Sequence, residues 1–554
     1  MKLGHIIIKV INDPINRRTW MSTNKLSLIF GLALLSAPAL SKITTITNDN
    51  DLTYNITVDG LKTETVTLNG KEFQKLNLLG VDEMTAIHYI QGAPQVPVLR
   101  FYANADKMSD IEVTTIENKT ITSKTIQNIL PVLPSLEKIP SSTYQESDLS
   151  VNKAFITENE FSIEDAGSMR GQQRYLVTLY PVAFEGTKAV VKNQFQVKIK
   201  NPSINFIPME APEGIVFIIG SKFKDAPSLV KYMELKKNLG FNVFTLDVKK
   251  EGPDQIRLKI KDLYSKNPSL KYALIVGDSE DVPGKESTII AGTTDLYYAA
   301  LGNDYEEDLN TPELFIGRVT AEDKAGMNKI FNKMITYLND SYSTQSMLNH
   351  ISFIATDDRY EVAEETHNYV INTYTKKAKY RGVFPKANQP GGDKLYAISH
   401  KAWTNEVMNA ISQGRTIINY SGHGSTDSWA GPYIGQEEVR SLKSTTFPFV
   451  ISNACITGDF RIDESFAETW IRHENGAIMF FGSMDSSYWD EDDILEKRMF
   501  DGIFTKNKEN FGEITDYGLS EMWRQYGGEN RSKYYRETYH MFGDPSLKLK
   551  ISPF

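Results

Sequence analysis

Short alternating runs of apolar and polar residues, each closed by turn residues, fill the chain from Lys42 to about Asn201. Leu52-Thr-Tyr-Asn-Ile-Thr-Val, Thr65-Val-Thr-Leu ahead of Asn69-Gly70, Tyr175-Leu-Val-Thr-Leu-Tyr and Phe195-Gln-Val-Lys-Ile-Lys are the clearest, and a period of two with an Asn-Gly turn is the signature of antiparallel hairpins. Residues 42–205 are therefore predicted to form an all-β domain. The period is lost across 206–214, where two prolines and a glycine mark a linker. Beyond it the texture changes. Apolar β-branched runs at 215–220, 242–246, 272–278 and 314–319 alternate with helical patterns at 226–239, 254–265 and 324–338. A second series follows, with strands at 351–356, before His423, at 449–452 and at 477–482, and helices at 362–375, 404–413 and 464–473. Residues 483–493 read as a polar loop. Such alternation predicts right-handed βαβ units around a parallel sheet, in two α/β subdomains, 215–345 and 346–554.

The amino terminus adds a destination. Within 21–41 a short positive stretch precedes the apolar run Leu26 to Leu35 and the small residues Ala37 and Ala39. That is the pattern of a secretory signal peptide and is too short to span a bilayer. Residues 1–20 precede the pattern as an extension, translation from Met21 being the alternative. A secreted or periplasmic protein, free of the membrane once the signal is removed, is expected. The net charge of −9 and the lack of a long basic run exclude nucleic acid as the natural partner.

Composition matters most through one residue. The chain has a single cysteine, Cys455, which cannot form an internal disulfide and is either a buried small hydrophobe or a nucleophile. Its surroundings favour chemistry. Arg-Thr-Ile-Ile-Asn-Tyr-Ser-Gly-His423-Gly and Phe-Val-Ile-Ser-Asn-Ala-Cys455-Ile each run from a buried-strand pattern into one reactive side chain, and the crevice beyond the carboxyl ends of such strands is where ligands bind. A thiol needs a nearby imidazole to ionise at neutral pH, which His423 can supply. Gly422 and Gly424 allow a tight turn, and the amides of Gly424 and Cys455 are candidate donors to an oxyanion. No second His or Cys stands at ligand spacing, so no catalytic metal is expected. The β-domain, with only His88 among potential histidine catalysts, is assigned no chemistry.

These blocks, Tyr420-Ser-Gly-His-Gly-Ser and Ser452-Asn-Ala-Cys-Ile-Thr-Gly-Asp-Phe, resemble the His-Gly and Ala-Cys blocks of the gingipain-type cysteine peptidases, relatives of caspases and legumains. Leu274-Ile-Val-Gly-Asp, Glu313-Leu-Phe-Ile-Gly-Arg and Phe542-Gly-Asp-Pro-Ser-Leu agree, in order, from about Ile215 to Leu549. The resemblance implies an α/β, caspase-like catalytic unit with Cys455 as nucleophile and His423 as general base and acid. The family's third polar residue falls on Asp358, with Asp357 beside it as the alternative. Ser483-Met-Asp-Ser-Ser-Tyr-Trp-Asp-Glu-Asp resembles the pocket block of the lysine-specific members, which implies Asp492 and Trp489 in the pocket for the substrate's P1 side chain, the one before the scissile bond. The arginine-specific members use an acid near Glu364. Cleavage of protein or peptide substrates after Lys or Arg, with Lys favoured, follows from the resemblance. So does a zymogen, in which the β-domain is the prodomain and intramolecular inhibitor, released by a cut between Lys198 and Glu213. Structural calcium is a family expectation, with Asp304 to Asp308 as an oxygen-rich stretch. The rival reading is a secreted binding protein that keeps the fold without catalysis.

Overall fold

The computed structural model describes residues 43–48, 51–119, 126–140, 142–154, 159–185, 188–200, 202, 212–306, 308–342, 346–528 and 530–551. The signal segment and most of the linker lie outside them. The amino-terminal region is a β-domain, as its period of two predicts. Strand Lys188–Lys200 is its spine, paired antiparallel with Asp51–Thr57 on one side and Ile111–Lys119 on the other. A four-stranded sheet that includes Pro97–Asn104 and Gln172–Leu179 packs with it around Ile56, Leu99, Val177, Phe195 and Val197, all at most 1% exposed. Lys198, where the interval expected to be cut begins, therefore lies inside a doubly hydrogen-bonded strand and is ion-paired to Asp51, while Lys200, the last residue of that strand, is paired on one side and meets Glu112. A peptidase needs extended, unpaired chain, so a cut there requires the spine strand to open first.

The carboxy-terminal part, from Gly214 onward, is built on one sheet. We number its strands β1 (Gly214–Gly220), β2 (Asn242–Val248), β3 (Leu270–Val276), β4 (Phe315–Val319), β5 (Ile351–Ala355), β6 (Asp393–Tyr396), β7 (Ile417–Ser421), β8 (Phe449–Asn453), β9 (Met479–Ser483) and β10 (Tyr539–Phe542). Their order across the sheet is β2-β1-β3-β4-β10-β9-β8-β7-β5-β6. Most are buried along their whole length, which is why they read as continuous apolar runs. The two predicted subdomains share this sheet, and the carboxy-terminal strand β10 joins them, parallel to β4 but antiparallel to β9. All other neighbours are parallel, so the two blocks run in opposite directions. The carboxyl ends of β5, β7, β8 and β9 thus open on one rim, and those of β1 to β4 on the other.

The helices fall close to their predicted places: Pro227–Asn238 (α1), Pro253–Lys266 (α2), Lys324–Leu338 (α3), Tyr360–Val370 (α4), Thr404–Ile411 (α5) and Phe466–Arg472 (α6). One segment departs from expectation. The stretch read as a polar loop is a loop only to Tyr488, after which helix α7 (Trp489–Phe504) begins, followed by α8 (Phe511–Tyr526) and α9 (Asn530–Thr538). The β-domain docks on α8. Tyr102 donates to the Ser520 carbonyl at 2.8 Å, Arg100 to that of Gln525 at 2.9 Å, and Arg524 returns a bond to the Arg100 carbonyl at 3.0 Å. No helix among the described residues is long and apolar enough to cross a membrane.

Candidate active site

Three neighbouring strands end level. Ala355 of β5, Ser421 of β7 and Asn453 of β8 are in register, so the chain leaves the sheet at one height and delivers Asp358, His423 and Cys455 to the same rim. Tight turns make this possible. A Cβ on Gly422 would stand 2.4 Å from Tyr420 Oη, and one on Gly424 only 2.7 Å from the Cys455 carbonyl oxygen, so only glycine lets the two loops close on each other. Directly after the cysteine, Ile456 has φ +58°, a left-handed conformation that costs a β-branched residue about 1–3 kcal/mol. Its amide is tied to the Asp485 carbonyl at 3.0 Å, which holds the strained corner that carries the thiol.

His423 Nε2 lies 2.8 Å from Asp358 Oδ2, while Asp357 is turned toward the loop at Gly431. The other ring nitrogen, Nδ1, lies 2.8 Å from the main-chain carbonyl oxygen of Lys138, in the β-domain. Cys455 Sγ donates to the same oxygen at 3.5 Å and accepts from the Ser487 amide at 3.2 Å. Imidazole and thiol therefore converge on one peptide group. The thiol is only 4% exposed, and burial, partly offset by the Ser487 amide and the Lys138 ammonium, raises its pKa above the ordinary value. In this state it is a neutral donor.

Lys138 was not singled out by sequence, and it is the centre of the site. The segment around it lies beside the loop before α7 as an antiparallel strand. Lys138 N–H donates to the Ser487 carbonyl at 2.9 Å, Trp489 N–H donates to the Leu136 carbonyl at 3.0 Å, and Glu137 is bridged to Tyr488. The lysine side chain enters a closed pocket, where it is 0% exposed and its ammonium lies 2.7 Å from Asp492 Oδ2. It donates to the Asn453 carbonyl at 2.6 Å, has Ser421 Oγ at 3.4 Å and stands 4.8 Å from the centre of the Trp489 ring. Asp492 is fixed from behind, its Oδ1 accepting from Tyr535 at 3.0 Å and Tyr539 at 2.5 Å. A buried charge is tolerated only when paired and hydrogen-bonded, and both conditions are met here.

The other candidates fall elsewhere. Glu364, on α4, accepts from the hydroxyl and amide of Ser399 and makes no contact with Lys138, so the acid at this pocket is Asp492. Among the described residues the groups bonded to the Lys138 carbonyl are His423 and Cys455 Sγ, and not the amides of Gly424 and Cys455. The Asp304 carboxylate accepts from the Glu306 amide, and no three acidic, His or Cys side chains among the described residues gather as a metal site. Lys138 was hidden because its neighbours, Pro134-Ser-Leu-Glu-Lys-Ile-Pro140, have no period. The one available signal was a lysine in a proline-bounded segment ahead of a site expected to bind lysine.

Comparison with known proteins follows the same lines. Residues 210–550 match the family model described as peptidase family C25. Lys-gingipain HG66 of Porphyromonas gingivalis is 22% identical over 552 residues, 82% of this chain and 30% of its own length. Gingipain R2 of the same organism is 26% identical over 308 residues, 52% of this chain and 39% of its own. The chain thus spans about a third or less of the Lys-gingipains it matches. In structure, the Arg specific cysteine proteinase gingipain R superposes with TM-score 0.53 at 24% identity, over 62% of this chain and 79% of its own. The complex of Porphyromonas gingivalis RgpB pro- and mature domains gives 0.52 at 23%, over 60% and 79%. With more than half its length matched by the family model, and with its fold shared by the gingipain structures, the chain belongs to peptidase family C25.

Proposed function

We propose that the protein is the zymogen of an exported cysteine endopeptidase that hydrolyses peptide bonds after lysine, with the β-domain as its prodomain and Lys138 as the inhibitory residue. The observation that carries this reading is the double engagement of Lys138: its carbonyl between Cys455 and His423, its ammonium on Asp492. In the released enzyme, Asp358 orients the imidazole, and Nδ1 takes the Cys455 proton. The thiolate attacks the carbonyl carbon after lysine, the oxygen takes the negative charge beside the amides of Gly424 and Cys455, and the C–N bond breaks as His423 protonates the leaving amine. Water then hydrolyses the thioester. No metal or cofactor enters these steps.

Preference for lysine over arginine rests on acceptor geometry. Asp492, the Asn453 carbonyl and Ser421 Oγ surround a single nitrogen, which matches the three hydrogens of an ammonium rather than the planar fork of a guanidinium. Latency rests on a misaligned scissile group. The Lys138 oxygen occupies the imidazole, where the leaving nitrogen belongs, and the Ile139 amide is turned back to the Glu137 carbonyl at 2.9 Å. The bond therefore sits in the site as an inhibitor. The test is turnover of fluorogenic peptides varied only at P1 by processed wild type and Cys455→Ala. Lysine peptides are expected to be cleaved by wild type alone. Equal rates in the two proteins, or preference for an apolar or acidic P1, overturn the proposal, and an inert wild type leaves the binding-protein alternative.

A further inference from the structure

Resting on that reading, we infer that the site also selects an apolar side chain at P3, two residues before the lysine, and that Ser135-Leu136-Glu137-Lys138 is a template of the preferred substrate. The ladder to Ser487 and Trp489 holds this segment as a strand, and alternate side chains of a strand share a face. Lys138 and Leu136 therefore point the same way, into the enzyme. Burial follows the alternation: Lys138 is 3% exposed and Leu136 8%, with Glu137 half-buried between them. Although it is part of the β-domain chain, Leu136 joins the main apolar cluster of the catalytic half, the one containing Trp489, and not the cluster of its own domain.

The contacts at the remaining positions are weaker selectors. The Glu137 carboxylate accepts from Ser486 Oγ and the Ser135 hydroxyl donates to Glu491. Beyond the scissile bond nothing comparable is built, since Ile139 is 48% exposed and Pro140 is exposed as well. Recognition thus lies on the amino-terminal side of the cut, in two buried side chains of different chemistry. An aspartate in the place of Leu136 would carry an unpaired charge into an apolar cluster. The substrates implied are extended protein segments with a branched apolar residue two before lysine.

The test uses processed wild-type enzyme and acetyl-Ser-Leu-Glu-Lys coumarylamide, with P3 changed to Ala or Asp and, separately, P1 changed to Ala. From the area a leucine buries, kcat/KM is expected to fall about tenfold for Ala at P3 and further for Asp. If P3 changes stay within about twofold while lysine at P1 remains essential, this inference is overturned and the proposed function stands. If the P1 change is tolerated, the proposed function itself fails. In the full chain, Leu136→Asp is expected to shorten the lag before activity, and an unchanged or longer lag in soluble, folded variant counts against the inference.

Discussion

At the scale of single residues, the lysine pocket is a buried ion pair in which the ammonium also donates to the Asn453 carbonyl and Ser421 Oγ. Removing one partner of such a pair costs about 3–5 kcal/mol because the other charge is left alone in apolar surroundings. Asp492→Asn is therefore expected to lower kcat/KM for lysine peptides by about a hundredfold or more, at 1.4 kcal/mol per tenfold, with little change in the unfolding temperature of the processed enzyme. A drop of under threefold in steady-state kinetics would contradict the pocket assignment. The thiol gives a second readout. Cys455 Sγ lies under the Lys138 carbonyl, buried and with its pKa raised. Iodoacetamide is expected to label it slowly in the latent chain and rapidly once the β-domain has left, as followed by mass spectrometry, and equal rates would exclude occlusion. Cys455 and His423 were legible in sequence because each follows an apolar strand pattern at a short distance, whereas Asp358, with Asp357 as its alternative, came from the family resemblance. Lys138 was not, since its role depends on a partner, Asp492, that lies far along the chain.

At the scale of elements, the acidic run 490–493 is the instructive failure. Read as a charge cluster it predicts a solvated loop, yet Asp490, Glu491 and Asp492 form the first turn of α7, where the helix dipole favours negative charge. The turn faces two ways. Asp492 meets Lys138, whereas Glu491 is 0% exposed, accepts from Ser135 of the β-domain strand and has Arg531 Nε at 3.7 Å. Burial, and after it the charge of Asp490, pushes the Glu491 pKa from 4.5 to about 7. A carboxyl whose pKa is raised in the latent state supports that state fully below its ordinary pKa and loses the contribution as pH rises through about 7. Zymogen activation, normalised to the activity of the processed enzyme, is thus expected to accelerate between pH 5 and 8, and Glu491→Gln to flatten the profile. Activation that slows with rising pH would contradict this. The strands and the helices α1 to α6 were legible because period and length agree with burial. Strand β10 was quoted only as a motif, because its place between β4 and β9 is a matter of topology that local pattern does not carry.

At the scale of the whole molecule, two α/β blocks running in opposite directions share a ten-stranded sheet, and one rim of one block carries Asp358, His423 and Cys455. The β-domain sits against α8 and reaches the rim with a single strand, so its docking contacts on α8 are separate from the contacts of Lys138 in the pocket, and under the proposed function docking and inhibition are separable. The two subdomains expected from sequence are thus one sheet with a reversal at β10. The most direct measurement is hydrolysis of a lysine peptide by freshly purified, unprocessed Lys138→Ala beside unprocessed wild type, with Cys455→Ala as the blank. The account predicts immediate turnover by Lys138→Ala and a lag in wild type. It is contradicted if Lys138→Ala stays as silent as unprocessed wild type while processed wild type is active.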